Sequence, residues 1–148
     1  MTGADLQALA DRLLIRELID EYSNVCTQKG WARLPDLFAE DCAWRTRGSH
    51  WRDVEGRAQV VEAIRGVVEG YRLVFQMPHA PRISVEGDTA SATTLMNEIV
   101  KVDDQSGRLV LAVYHDRLVR IAEGWKFKER VFQESYLETV PMAGRLVT

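Results

Sequence analysis

Apolar residues recur at three- and four-residue intervals at the start of the chain. Leu6, Leu9, Leu13, Ile15, Leu18, Ile19, Tyr22 and Val25 follow one another in this way, which is the period of a helix with one apolar face. Thr2 and Asp5 have the form of a capping box at its start, and Lys29-Gly30 supplies a basic residue and then a glycine at its end. The spacing of Trp31, Leu34, Leu37 and Phe38 predicts a short second helix over 31–38, with Pro35 tolerable only near its first turn. Residues 41–47 alternate enough for a short strand. Gly56 opens a third helix carrying Val60, Val61, Ile64, Val67 and Val68 at helical spacing, and Gly70 ends it.

Beyond Gly70 the period changes. The runs 73–76, 82–85, 89–102, 108–121 and 125–136 are rich in Val, Ile, Thr and aromatics and read as strands. Turn chemistry separates them: Pro78 and Pro81, Glu86-Gly87-Asp88, residues 103–107, and Glu123-Gly124. Helices first and a long antiparallel meander afterwards make an α+β pattern. A long curved sheet must cover its concave face, and the three helices are the only material available to do so. No repeat or linker interrupts the chain, so residues 1–148 are expected to form a single domain.

Composition narrows the class. The chain has 148 residues, 46% hydrophobic and 28% charged, an ordinary globular balance. The net charge is −3 with both signs interspersed, so no nucleic-acid partner is expected. Cys26 and Cys42 do not make a disulfide framework, and free thiols point to the cytoplasm. With no apolar run near the ~20 residues of a membrane span and no basic leader at the N-terminus, neither membrane insertion nor export is expected.

The order of elements and several motifs resemble the SnoaL-like families of the nuclear transport factor 2-like superfamily, over essentially the whole chain. The matching pieces are Ile15-Arg16-Glu17-Leu18-Ile19-Asp20-Glu21-Tyr22, Gly30-Trp31, Leu37-Phe38-Ala39-Glu40-Asp41 and Gly56. Further on come Pro81-Arg82-Ile83-Ser84-Val85-Glu86-Gly87-Asp88-Thr89-Ala90, Tyr114-His115-Asp116-Arg117-Leu118-Val119-Arg120 and Gly124-Trp125-Lys126-Phe127. The resemblance implies three N-terminal helices on a strongly curved, mixed or antiparallel sheet, shaped into a cone-like barrel with an internal pocket for small apolar or aromatic molecules. The group includes scytalone dehydratase, hexachlorocyclohexane dehydrochlorinase, polyketide cyclases, isomerases and the non-catalytic small subunits of ring dioxygenases.

In the dehydratase and the dehydrochlorinase, which are nearest in layout, an Asp on helix one and a His on the sheet form an acid–base pair. An Arg on the last strand supports that pair in the dehydrochlorinase. By resemblance the Asp position falls on Thr27, the His position on Gln76 and the Arg position on Arg130, while Trp44 and Tyr114 match aromatic pocket walls. Neither Thr nor Gln serves as a base near neutral pH.

Other residues offer replacements. His79, three residues past Gln76, is either a base reaching the pocket mouth or a turn histidine between prolines. Glu98 alternates with Met96 and Thr94 on the pocket face. There it is either an acid or base with a burial-raised pKa or a solvent-facing strand residue. Asp116 and Arg130, on strands expected to pair and in parity with Tyr114 and Phe132, form either a substrate-polarising pair or a structural ion pair. Tyr22 either donates to a ligand or packs with a tethered hydroxyl. Cys26 reads as an inert buried thiol, and His50 and His115 read as surface residues. No spacing suggests a metal, and no cofactor motif is present.

Two function classes follow from these readings. One is a cofactor-independent lyase, dehydratase or isomerase using Glu98, Asp116, Arg130 and His79, with Tyr22, Thr27, Trp44, Gln76, Met96, Tyr114 and Phe132 binding the ligand. The other is a non-catalytic binding or partner-subunit module. A homodimer through the outer sheet face is expected in either case.

Overall fold

The computed structural model of the chain describes residues 1–147. Helix α1 runs from Gly3 to Gln28 and is followed by a 3-10 helix, Trp31–Leu37. The strands are β1 (Phe38–Arg47), β2 (Arg52–Glu55), β3 (Leu73–Glu86), β4 (Thr89–Lys101), β5 (Ser106–Ile121) and β6 (Gly124–Pro141). Helix α2, Arg57–Glu69, lies between β2 and β3. The six strands form one sheet in the order β2-β1-β6-β5-β4-β3. β1 runs parallel to β6 and every other pairing is antiparallel. The sheet is thus mixed and open, with β2 and β3 at its edges, and it does not close on itself as a barrel.

The capping box forms as the sequence predicts. The Asp5 amide donates to Thr2 Oγ1 at 3.1 Å, and the Thr2 amide donates to Asp5 Oδ2 at 2.8 Å. Lys29 ends α1 in the left-handed conformation, with φ 57°. The buried face of α1 differs from the predicted one. Leu6, Leu9, Leu13 and Leu14 are exposed, and the face that enters the core begins with Asp11 and continues through Ile15, Ile19, Tyr22, Val25 and Cys26. Leu6, Leu9 and Leu13 lie across the helix from this face at about 3.6 residues per turn, which leaves them on the outer side. Asp11 instead accepts from Trp125 Nε1 at 3.2 Å and from Gln7, and pairs with Arg120. Burial alone raises its pKa, but these donors overcome that and hold the carboxyl below its usual range.

Three further expectations are corrected. The second helix is a 3-10 turn that ends at Leu37, and Phe38 already belongs to β1. The Pro78–Pro81 stretch, expected as a turn between two strands, lies inside the single strand β3, with a bulge between His79 and Arg82 and Ala80 at φ 51°. Two prolines are tolerated there because β3 is an edge strand with no further ladder to supply. The residues after His50, which the sequence leaves without an element, form β2. It pairs with β1 from Ala43↔Glu55 to Thr46↔Arg52, after a turn in which Gly48 has φ 128°.

Alternation along the strands builds the inner face. Ala92, Thr94 and Met96 on β4 and Val110, Ala112, Tyr114, Asp116 and Leu118 on β5 are buried, while their neighbours point outward. Two bulges in β6 alter the parity. Arg117 pairs with Glu129 but Leu118 with Phe127, so Lys128 is skipped and both Phe127 and Arg130 reach the core. Leu111 pairs with Tyr136 but Ala112 with Glu134, so Ser135 is skipped as well. Helix α2 covers part of the concave face with Val60, Ile64 and Val68. No helix among the described residues is long and apolar enough to cross a membrane.

Candidate functional site

Between α1, α2 and the concave face of the sheet lies a cavity of about 100 Å³. Its deep part is aromatic and aliphatic: Tyr22, Trp44, Tyr114 and Phe132 meet Ile64, Val68, Val74 and Val110 there. Tyr114 and Phe132 pack edge to face with centroids 5.1 Å apart, and Tyr22 and Tyr114 do so at 5.8 Å. The Tyr114 hydroxyl donates to that of Tyr22 at 3.3 Å. Burial raises both phenols far above their usual range, so each remains a neutral hydrogen-bonding group.

One carboxyl enters this apolar space. Glu98 on β4 sits directly opposite Gln76 on β3, and Gln76 Nε2 donates to Glu98 Oε2 at 2.8 Å. Both residues line the cavity. Glu98 keeps some surface open to the cavity although protein atoms surround it, and this burial raises its pKa, opposed by Gln76 and assisted by the charge of Glu134. Gln76 Oε1 and Trp44 Nε1 have no hydrogen-bond partner in the protein. The cavity therefore carries one unused acceptor and one unused donor beside a carboxyl biased toward its neutral form.

The remaining expected residues fall in different places. Asp116 and Arg130 do meet: Arg130 Nε and Nη2 donate to the two Asp116 carboxylate oxygens at 2.7 and 3.0 Å. Neither lines the cavity, however. The guanidinium is fully buried, with its central carbon 3.8 Å from the Tyr114 ring centroid, 4.2 Å from Phe127 and 4.3 Å from Tyr22. Burial pushes the Asp116 carboxyl upward against the pull of Arg130, and the bidentate geometry is that of an ionised pair. Arg130 Nη1 is left without an acceptor. The pair stands behind the tyrosines and bears on the cavity through them.

Thr27 does not line the cavity either, because its Oγ1 accepts the Gln76 amide at 3.0 Å and ties the end of α1 to β3. Thr27 and Gln76, the positions that the resemblance matches to an acid and a base, are thus adjacent in space, but they hold a backbone tether. Met96 packs in the core. His79 is exposed at the bulge of β3 and lies outside the cavity lining. Cys26 is buried, and that burial pushes its thiol up to about 12, so it stays protonated. Among the described residues no group of His, Cys, Asp or Glu is arranged to hold a metal.

The mouth was not anticipated. Arg47, His50, Arg52, Arg108 and Glu134 line it, together with Tyr71 beyond the end of α2. His50 is exposed, as expected of a surface residue, yet the β1–β2 hairpin carries it over the opening. The missed signal was the short alternation in Arg52-Asp53-Val54-Glu55, too brief to identify a strand alone.

Known proteins share this architecture. The chain is 27% identical over 128 residues to the uncharacterized protein Rv2910c of Mycobacterium tuberculosis, covering 83% of this chain and 84% of that one. Among solved structures, hexachlorocyclohexane dehydrochlorinase LinA-type3 from Novosphingobium barchaimii superposes with a TM-score of 0.80 at 21% identity, covering 97% of this chain and 98% of that one. A scytalone dehydratase-like protein of Novosphingobium aromaticivorans gives 0.78 at 20% identity, covering 88% of each chain. At such identities these structures share the fold alone. The model of the SnoaL-like domain matches residues 7–131, and the chain belongs to the SnoaL-like domain family.

Proposed function

We propose that this SnoaL-like domain binds a small apolar or aromatic molecule in the cavity and transforms it by cofactor-independent proton transfer through Glu98. The observation that carries the reading is the Gln76–Glu98 pair inside an otherwise apolar cavity, flanked by the unpartnered Gln76 Oε1 and Trp44 Nε1. In its ionised form Glu98 takes a proton from a substrate carbon. The released electron pair forms a carbon–carbon double bond, and either a leaving group departs with its own pair or the proton returns at another carbon. The first outcome is lyase chemistry, as in the dehydrochlorinase and dehydratase relatives, and the second is isomerisation. Trp44 and Tyr22 supply hydrogen bonds to a substrate oxygen, while Arg130 and Asp116 act as positioning residues that fix the two tyrosines. The buried free thiols Cys26 and Cys42 fit a reducing cytoplasm.

A second reading, a non-catalytic binding module, is favoured by one observation: Thr27 Oγ1 is committed to the Gln76 amide. Mass-spectrometric screening of single-ring substrates separates the two. Turnover abolished in Glu98→Gln supports the enzyme. Saturable binding without product across the same panel supports the module. Turnover undiminished in Glu98→Gln defeats the assignment to Glu98.

A further inference from the structure

The arginines on the sheet are not alike. Arg45 bonds Asp53, Glu55 and Glu129, Arg117 bonds Glu129, and Arg120 bonds Asp11 and Asp88. At the mouth, Arg47 is also satisfied, bonded to Asp53 at 2.6 Å and stacked on Trp51. Arg52 and Arg108 break this pattern. Both are half-buried and line the cavity. Their side-chain hydrogen bonds go to neutral hydroxyls, Arg52 Nη1 to Thr46 Oγ1 at 3.4 Å and Arg108 Nη1 to Tyr71 Oη at 3.2 Å. Neither has a carboxylate partner among the described residues. Each guanidinium has five N–H donors, so most of them remain free at the opening.

The one carboxylate at the mouth is already engaged. Glu134 accepts from the backbone amide and the hydroxyl of Ser49. The rim therefore carries two guanidiniums without a carboxylate partner against the single charge of Glu134, a net positive opening to a low-dielectric recess that draws in anions. Below the rim the lining is apolar or aromatic apart from Thr46, Gln76 and Glu98, and the Thr46 hydroxyl is already donated to the His50 carbonyl. A space of about 100 Å³ is smaller than the ~150 Å³ engineered cavity known to bind benzene, so a fused polycycle is too large for it and one ring fills it, leaving any polar head to the open mouth.

We infer that the ligand is a single-ring monoanion, its ring seated among Tyr22, Trp44, Tyr114 and Phe132 and its carboxylate held at the mouth by Arg52 and Arg108. This rests on the reading of the cavity as a binding site and adds the charge class of its occupant.

The test pairs charged and neutral rings of one shape. Benzoate and phenylacetate are titrated against benzamide and phenylacetamide by calorimetry at low ionic strength, with wild type, Arg52→Gln, Arg108→Gln and the double variant. Wild type should bind each acid about tenfold or more tighter than its amide, the scale set by a charge-assisted over a neutral hydrogen bond. Each single variant should narrow that ratio, and the double variant should bring it close to one, the acid losing more affinity than its amide. Added salt should erode acid binding alone. Amides binding as tightly as acids in wild type would overturn the inference while leaving the binding cavity intact. Absence of any binding, by acid or amide, would instead overturn the cavity reading on which it rests.

Discussion

Asp116 on β5 and Arg130 on β6 are cross-strand partners whose side chains, both fully buried, are joined by two parallel hydrogen bonds. Removing one partner strands a charge in the core, whereas replacing both with apolar groups of similar volume does not. Asp116→Ala should therefore lose about 3–5 kcal/mol, lowering Tm by on the order of 10 °C. Asp116→Leu combined with Arg130→Met should be more stable than Asp116→Ala. Thermal unfolding followed by circular dichroism measures both, and a double variant no better than the single one would show that the ion pair is more than a satisfied charge.

Glu98 should make stability depend on pH. Its pKa in the folded protein is raised, chiefly by burial, above an ordinary value of about 4.3. The folded state therefore keeps a proton that the unfolded chain has released. Stability from this group is fully present below the unfolded value and is lost as pH rises through the folded one. Glu98→Gln should match wild type near pH 4 and exceed it at pH 8, as read by urea denaturation at the two pH values. Parallel profiles for the two proteins would show that the carboxyl is not held neutral.

Thr27→Val keeps the shape of the side chain and deletes the acceptor of the Gln76 amide. A part-buried N–H left without a partner costs about 1–3 kcal/mol. Amide exchange at Gln76 should accelerate, with little change along β5. Unaltered protection at Gln76 would mean that the link between α1 and β3 lies elsewhere.

The outer face of the sheet carries Phe75, Leu95, Leu109, Leu111 and Tyr136, all exposed, with Phe75↔Ile99↔Leu109 and Asn97↔Leu111↔Tyr136 aligned across the strands. Patches of this kind mark association surfaces, and we expect a twofold dimer through it. Light scattering after size exclusion should give twice the chain mass, and Leu111→Asp should halve it. A monomeric wild type would exclude the dimer.

How far the sequence could be read differs from element to element. Helix α2 and strands β4 and β5 follow directly from period, because each has one buried face of regular spacing, whereas the two bulges of β6 interrupt its alternation. α1 shows where that logic fails. Leu6, Leu9 and Leu13 keep three- and four-residue intervals among themselves, but at about 3.6 residues per turn they lie across the helix from Ile15 and Ile19, so counting intervals merged two faces into one. The Pro78–Pro81 stretch misled because proline argues against a strand in general and not against an edge strand. At the site, Tyr22, Trp44, Gln76, Glu98, Tyr114 and Phe132 were legible from parity and resemblance, and the cavity does bring them together. His79, Met96 and Thr27 were not separable from them, since bulges, packing depth and a single backbone bond decided their places. Arg52 at the mouth was invisible, because the four-residue strand that positions it is shorter than any pattern, whereas Arg108 shares the parity of Val110 and Tyr114 and was overlooked as an ordinary strand end.

Lys128 and Ser135 are the two residues that β6 skips in its pairing with β5. Each is an extra residue in β6 with none opposite it in β5, so removing Lys128 would leave Phe127 beside Leu118, Glu129 beside Arg117 and Arg130 beside Asp116, with the same faces inward. What would disappear is the local bend and the added right-handed twist that a bulge imposes. These two residues therefore govern how the sheet curls and not which side chains it turns inward. Losing either codon should flatten the wall against which the cavity is built.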